Sequence, residues 1–535
     1  MSEPRKQNYL HGAAILAAGV VIMKILGAIY KIPLGNILGD EGYTHFLVAY
    51  NIYNVFLTIA TAGLPVALSR MVAEANTLGR TNQVQRTFSV AWLTFLVLGA
   101  VSSLIMFILP TELANLMNDV EAAQSILALS PAVILVCLTS TYRGYCQGHE
   151  NMKPTTVGQV LEVFVKVAVG LVLAWYLTRV GKSLPIASAG AIFGVTAGSL
   201  AALIYMFIVK RRQYSNLPAA SDTPSSRWSI LKILLRIGIP ITLGSSVLSL
   251  INLVDTGLCM GRLQDAAGFS YADAKILYGV YGKAQTLYNL PAAFITPLTI
   301  SVVPAIAACM ARLDRKEAST IAENSLRIST VIALPMGVGL SVLSYPIMNV
   351  LYPNSNAAGP ELLCLMGAAS FFVCIAIIQN AILQAHGNEI YPVYSMLAGG
   401  TVKIVVNWFL VANPDINIVG APIGTLCCYI VMCVLNHIFM CRCLDRKPSL
   451  GRILLRPLLS SAAMGFGAWG IYGLAARFLG GPDMGRMMMA LCMVLAIGVA
   501  VVIYLVLIIA TRAITAEDMK LIPKGEKLAK LLKIR

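Results

Sequence analysis

"CQGHENMKP" (Cys146–Pro154) and "LQAHGNEIYP" (Leu383–Pro392) are worn copies of one polar turn, each set between two long apolar runs. They align at an offset of 237 residues, pairing Gln147 with Gln384, His149 with His386 and Asn151 with Asn388. The register continues into the next run, where Lys166 of "VFVKVAV" meets Lys403 of "GTVKIVV". Farther on, "AGAIFG" (189–194) matches "VGAPIG" (419–424), pairing Gly190 with Gly420 and Gly194 with Gly424. Upstream, Tyr53–Asn54 resembles Tyr288–Asn289. The chain therefore reads as two copies of one unit, and each turn as the elbow between the fourth and fifth helices of its copy. Hydrogen bonding at the elbow is the expected role of His149 and His386.

Composition sets the medium. Hydrophobic residues make up 58% of the 535 and charged residues only 12%, against roughly 25% charged in soluble domains. A bilayer core about 30 Å thick needs about 20 apolar residues per helix. Such runs follow one another from 11–36 and 45–66, through 276–305 and 328–351, to 457–476 and 488–511. The expected fold is an all-α integral membrane protein of about 14 transmembrane helices, since barrel strands would be shorter and alternate. Six helices per copy is an even number, so both copies share one orientation and a pseudo-twofold along the membrane normal relates them. The expected organisation is a six-helix lobe over 1–209, a cytoplasmic linker over 210–232 containing "NLPAASDTPSSR", a second six-helix lobe over 233–441, helices 13 and 14 over 442–511, and a basic tail over 512–535.

The first run follows Arg5 and Lys6, as a leader would. It is too long for a signal core, holds Lys24 and Lys31, and lacks a small-residue cleavage box, so it is expected to stay as helix 1. Most of the 40 Lys and Arg fall on one side when loops are assigned alternately, which predicts both termini in the cytoplasm. The net charge of +16 is then topogenic and directed at anionic membrane lipids, not at nucleic acid. The twelve Cys are scattered or gathered in "CCYIVMCVLNHIFMCRC" without carboxylates, a helix-packing pattern and not a metal site. No phosphate-cradling Gly loop, HExxH or Ser-His-Asp order is present, and no loop is long enough for a catalytic domain. An enzyme, a metal and a cofactor are all unexpected.

What is buried carries a sign. Lys24, Lys31, Lys166, Lys283 and Lys403 lie within helices, against only Glu162 and Asp255. A Lys at helix centre costs about 3 kcal/mol on insertion scales, while each Leu, Ile, Phe or Val returns roughly 0.3 to 0.6. Helix 1, carrying two, comes out near break-even, so Lys24 and Lys31 should face a wet interior on one helix face. Glu162 and Lys166 stand at i, i+4 and are expected to pair. Lys403 has Gly399 at the corresponding position. Lys283 and Lys31 are near enough to helix ends to snorkel. Asp255 is expected to meet a lysine of helix 8 or a coupling cation. Such a cavity selects anions. Helix breakers in "TAGLPVALS", "IGIPITLG", "ITPLTISVVPA" and "IALPMGVGL" mark either kinks with freed carbonyls or packing through small residues.

"GAAILAAGVVIMKILGAIYKIPLGNILGDEGY" followed by "NIYNVFLTIATAGLPVALSRMVAEANTLGR" resembles the opening of the oligosaccharidyl-lipid flippases of the MOP exporter superfamily. The nearest branch is the Gram-positive polysaccharide flippase one, holding stage V sporulation protein B and MurJ-type lipid II flippases. The resemblance spans essentially the whole chain. It implies movement of undecaprenyl-pyrophosphate-linked sugars from inner to outer leaflet of the bacterial cytoplasmic membrane by alternating access, with helices 13 and 14 framing a groove for the lipid tail. It also implies a lipid-linked oligosaccharide as substrate and cell-wall synthesis machinery as partner. Gram-negative members carry R-x-L-G-x-x-R-D in helix 1. Here "KILGAIYK" keeps a cation at Lys24 but puts Tyr30 at the second arginine and Lys31 at the acid, and Leu57 stands where helix 2 of those proteins has an arginine. Only Lys24 transfers.

Lys24, Lys31, Lys166, Lys403 and Lys283 are thus the expected pyrophosphate-binding residues, with Glu162 and Asp255 for charge pairing or coupling. With no nucleotide motif, membrane potential or an ion gradient is the expected engine. The alternatives are a capsular or spore-cortex oligosaccharide flippase, a cation antiporter of the multidrug and toxin extrusion type, and a membrane glycosyl transferase. The antiporter would need buried acids, and the transferase a long outer loop with carboxylates.

Overall fold

The computed structural model describes residues 9–213, 222–445, 448–479 and 485–511. The expected basic tail and residues 214–221 of the expected linker lie outside them, while the rest of the linker is described and falls partly in helices at its two ends. Among the described residues every regular element is helical. The chain packs as two compact units, Met1–Gly261 and Arg262–Arg535.

The first unit holds α1 (Tyr9–Thr61), α2 (Leu64–Thr77), α3 (Thr81–Ile108), α4 (Pro110–Leu116), α5 (Ala123–Gly148), α6 (Lys153–Arg179), α7 (Leu184–Gln213) and nearly all of α8 (Arg227–Asp265). The second holds α9 (Tyr271–Tyr288), α10 (Leu290–Ala311), α11 (Arg315–Val342), α12 (Ser344–Leu351), α13 (Gly359–Ala385), α14 (Ile390–Leu410), α15 (Gly420–Cys443), α16 (Leu450–Leu479) and α17 (Arg486–Ala510). Packing therefore groups α8 with the first unit, although by repeat register it opens the second set of six.

Among the described residues, thirteen spans are long and apolar enough to cross a membrane. The first, Ile22–Thr77, has 56 residues, about 84 Å at 1.5 Å per residue, against a core of about 30 Å. It turns at Gly39, whose φ of 71° and ψ of −170° belong to a region open essentially to glycine alone. Counted as two passes, it brings the total to fourteen. The runs expected at 276–305 and 328–351 are each interrupted: α9 gives way to α10 at Asn289, and α11 to α12 at Leu343. Hydropathy stays high across both breaks and does not show them; Pro291, in the first turn of α10, is the local mark of the first.

The repeat is visible in the elements. A 28-residue helix, a helix of seven or eight residues and an elbow helix follow one another as α3, α4, α5 and again as α11, α12, α13. The elbows match atom for atom. His149 Nδ1 lies 3.0 Å from the Tyr145 carbonyl and His386 Nδ1 lies 2.9 Å from that of Ile382. The Asn151 and Asn388 amides donate back to the carbonyls of Cys146 and Leu383 at 3.0 and 3.1 Å. The Asn151 side chain reaches Gln213 at the end of α7, and that of Asn388 reaches Cys443 at the end of α15. Burial lowers the His149 pKa, so this ring serves its elbow as a neutral hydrogen-bonding group.

Of the four breaker stretches, "TAGLPVALS" interrupts its helix, between α1 and α2, while Pro240, Pro297, Pro304 and Pro335 sit inside continuous helices. The freed Gly63 amide donates to Thr242 Oγ1 of α8 at 3.1 Å. Thr58 with Ser249 and Asn51 with Thr256 extend that polar seam along α1. Breakers and small residues work together here: a Cβ on Gly63 would meet the Gly238 carbonyl.

Candidate functional site

On the return pass of α1, Tyr43, Phe46, Tyr50 and Tyr53 recur at helical spacing and form a column of rings with successive centroids 5.8, 5.8 and 5.9 Å apart. Tyr30, on the outgoing pass, meets Phe46 edge-on at 5.9 Å, and its hydroxyl donates to the Ala191 carbonyl of α7 at 3.0 Å. Two ammonium groups lie over this surface. Lys31 Nζ is 5.9 Å from the Tyr50 centroid and Lys166 Nζ is 5.8 Å from that of Tyr30, both inside cation–π range. Lys31 is within electrostatic reach of Lys166 and Lys24, and Lys24 is exposed. Three of the five expected lysines thus form one cluster.

Glu162 does not pair with Lys166. It takes the Arg143 guanidinium from α5, Nη2 to Oε2 at 2.5 Å, and accepts from Ser199 Oγ of α7 at 3.4 Å. A fork of fixed donors on a neighbouring helix wins over a flexible ammonium one turn away. Tyr53 lies within range of both partners. The pair neutralises itself, and among the described residues no carboxylate forms an ion pair with Lys24, Lys31 or Lys166. The cluster is therefore a concentrated positive site walled by aromatic rings.

In the second unit Lys403 is 5% exposed, with Tyr429 in electrostatic range and Tyr429 hydrogen-bonded to Tyr288. Lys283 is 1% exposed and held over the Tyr352 ring at 5.2 Å. It does not snorkel, which corrects the expectation for that residue: its side chain is enclosed in packing. Lys275, outside the lysines expected within helices, lies near the start of the same helix and stacks on Tyr271 at 4.2 Å. Asp255 is buried, and Cys259 Sγ approaches its Oδ1 at 3.8 Å. Sequence reasoning missed Arg143 and the tyrosine column. The spacing of Tyr43, Phe46, Tyr50 and Tyr53 was the available signal for the column, and Arg143, inside an apolar run, was the signal for the pair.

Residues 9–310, more than half of the chain, match the family described as polysaccharide biosynthesis protein. The chain is 28% identical over 526 residues to the uncharacterized membrane protein YabM of Bacillus subtilis (strain 168), covering 98% of this chain and 96% of that one. It is 26% identical over 517 residues to lipid II flippase MurJ of the same organism, covering 93% and 94%. A solved structure of lipid II flippase MurJ, in an inward closed conformation, matches with a TM-score of 0.65 at 13% identity over 92% of this chain and 98% of that one. The chain belongs to the polysaccharide biosynthesis protein family and has the multi-pass helical fold of the MOP superfamily transporters.

Proposed function

We propose that this protein is a flippase that moves undecaprenyl-pyrophosphate-linked sugars, lipid II in particular, from the inner to the outer leaflet. The observation that carries this reading is the Lys24, Lys31 and Lys166 cluster on its tyrosine column. A pyrophosphate cannot cross hydrocarbon bare, whereas its polyprenyl tail need never leave it. Like charges held together are relieved by an anion, so substrate binding favours whichever state draws the cations closest. A tail needs an apolar channel. In the second unit, α10 and α11 with α16 and α17 line a half-open apolar groove of about 360 Å³ that includes Leu290, Pro335, Met464, Ala500 and Tyr504. The relatives named as flippases of lipid II agree with this substrate class.

No covalent step is involved. The driving force is membrane potential or an ion gradient, one charge being worth about 2.3 kcal/mol per 100 mV, with buried Asp255 the residue to couple it. Both termini are placed in the cytoplasm on the Lys and Arg distribution. Basic segments there meet anionic lipids, and wall-synthesis enzymes consume the product outside.

Two measurements test the reading. Depletion of the protein in its own host should accumulate lipid II in the inner leaflet; accumulation of a capsular or cortex-specific lipid-linked sugar instead would reassign the cargo. In proteoliposomes, Lys31→Gln and Lys166→Gln should each slow lipid II translocation about tenfold, the loss of one charge-assisted hydrogen bond. Lys24→Arg should be tolerated better than Lys24→Gln. Because Arg143 occupies Glu162, Lys166 is not neutralised, and its loss should be as severe as that of Lys403. Wild-type rates in both the Lys31 and Lys166 variants would remove the cationic mechanism.

A further inference from the structure

Where α1 reverses, His45 is fully buried between acids from two segments that lie far apart in the chain. Its Nδ1 lies 2.9 and 2.8 Å from the two carboxylate oxygens of Asp119, which is itself fully buried. Its Nε2 is buried and makes no hydrogen bond, although Glu121 Oε2 stands 3.3 Å away. Glu41, one turn before His45 on the same helix face, directs its carboxylate to the same point. One ligand atom each from Glu41, His45 and Glu121 lies within 4.8 Å of the others. Glu121 is 45% exposed, so the cluster opens to solvent on that side.

The geometry suits a cation. Asp119 holds Nδ1, which leaves the buried Nε2, without a hydrogen bond, aimed at the two carboxylates of Glu41 and Glu121. Two ligands of one tetrahedral zinc ion, at about 2.0 to 2.2 Å each, are themselves about 3.3 to 3.6 Å apart, and Nε2 and Glu121 Oε2 stand 3.3 Å apart. A carboxylate behind the histidine is also the usual outer support of a metal-bound imidazole. One imidazole with two carboxylates suits Zn²⁺ better than the all-oxygen cations.

We propose that Glu41, His45 and Glu121 form a zinc site, with Asp119 orienting His45 and water completing the coordination. Spacing along the chain does not reveal it, since His45 and Asp119 are 74 residues apart. A bound ion would clasp the turn of α1 to the segment that opens α5. Tyr43 and Phe46 flank His45, so the clasp would also hold the base of the tyrosine column. The site stands independently of what the protein transports.

The test uses the full-length protein in detergent, purified without a histidine tag, stripped with chelator, loaded with ZnCl₂ and gel-filtered. Wild type should retain one zinc per chain by elemental analysis, and zinc should raise its unfolding temperature. Glu121→Gln and Glu41→Gln lie at partly exposed positions and should fold. Each should lower zinc affinity about tenfold or more and abolish the thermal shift. Cobalt substituted into wild type should give visible ligand-field absorption that Glu121→Gln lacks. Wild type that retains no zinc, or glutamate variants that bind it as wild type does, would overturn the proposal and leave the cluster as a structural contact of His45 with Asp119.

Discussion

The crossing of α6 with α7 and that of α14 with α15 are built alike, yet they place their glycine on opposite helices. In the first, a Cβ on Gly198 of α7 would run into the Glu162 carbonyl of α6. In the second, Cys428 takes the place of Gly198, and Gly399 that of Glu162; a Cβ on Gly399 would stand 2.8 Å from the Cys428 carbonyl. One turn away both crossings carry glycine on the later helix, Gly194 set against the Lys166 carbonyl and Gly424 against the Asn407 side chain, with the Lys403 carbonyl behind it. Helices this close leave room for one side chain at each contact. Putting glycine on α7 leaves α6 free to carry an acid, and Arg143 comes to meet it. Putting glycine on α14 removes the acid, and the residue in the Arg143 position is Asn380. There Asn436 donates to Asn380 at 2.8 Å and accepts from Ser395. One unit is locked by an ion pair and the other by neutral amides, on the same backbone.

The largest expected effect comes from breaking that difference on the charged side. Arg143→Asn imports the second unit's residue and leaves Glu162 without its partner, at 13% and 20% exposure for the two side chains. Orphaning a buried charge costs about 3 kcal/mol, and this partly exposed pair belongs at or below that figure. Thermal unfolding in detergent should show a clear fall for Arg143→Asn and a recovery of more than half for Arg143→Asn with Glu162→Gln. The single variant should also slow transport, because the freed Glu162 can draw Lys166 toward itself at i, i+4. A double variant no more stable than the single one would show that the ion pair does not distinguish the units.

What was legible in the sequence was local or periodic. Hydropathy marks the spans, the 237-residue offset marks the repeat, and the lysines announce themselves by sitting where charge is costly. The pairing of Glu162 was misread because a local partner at i+4 was visible and Arg143, 19 residues away, was not. Its approach depends on how α5 packs against α6. Lys283 looked free to snorkel because the chain does not show that Tyr352 folds over it. The cluster at His45 was invisible for the same reason, its acids arriving from two turns that hydropathy treats as ordinary loops.

A second, smaller effect sharpens the comparison of the glycines. Gly198→Ala and Gly399→Ala should each cost about 1 to 3 kcal/mol, because a methyl group there meets a backbone carbonyl that cannot move aside. Gly27 and Gly339, also helical, have nothing within 4 Å of a built Cβ. Alanine there should be neutral or stabilising by up to about 1 kcal/mol. Unfolding midpoints of the four variants check this. Equal midpoints would mean that the crossings are loose enough to take a side chain on both helices.

The smallest effect belongs to the elbows, where the two units agree in geometry and differ in the residue at the left-handed position. Gly387 takes φ of 79°, and Glu150, at the equivalent position, takes φ of 59°. A residue with a Cβ pays roughly 1 kcal/mol or more to enter that left-handed region. The same backbone is therefore relaxed in the second unit and strained in the first, held there by the Asn151 amide donating to Cys146 and by the His149 contact to Tyr145. Opposite substitutions should have opposite signs. Gly387→Ala should destabilise by about 1 kcal/mol, since alanine brings the left-handed cost with it. Glu150→Gly should stabilise by about 0.5 kcal/mol, the relief of strain being partly offset by the extra freedom glycine gives the unfolded chain. Chemical denaturation in mixed micelles resolves shifts of this size when both variants are run beside wild type. A stabilised Gly387→Ala, or a destabilised Glu150→Gly, would mean that interactions of the glutamate side chain, and not the shared turn, set the energy of the first elbow.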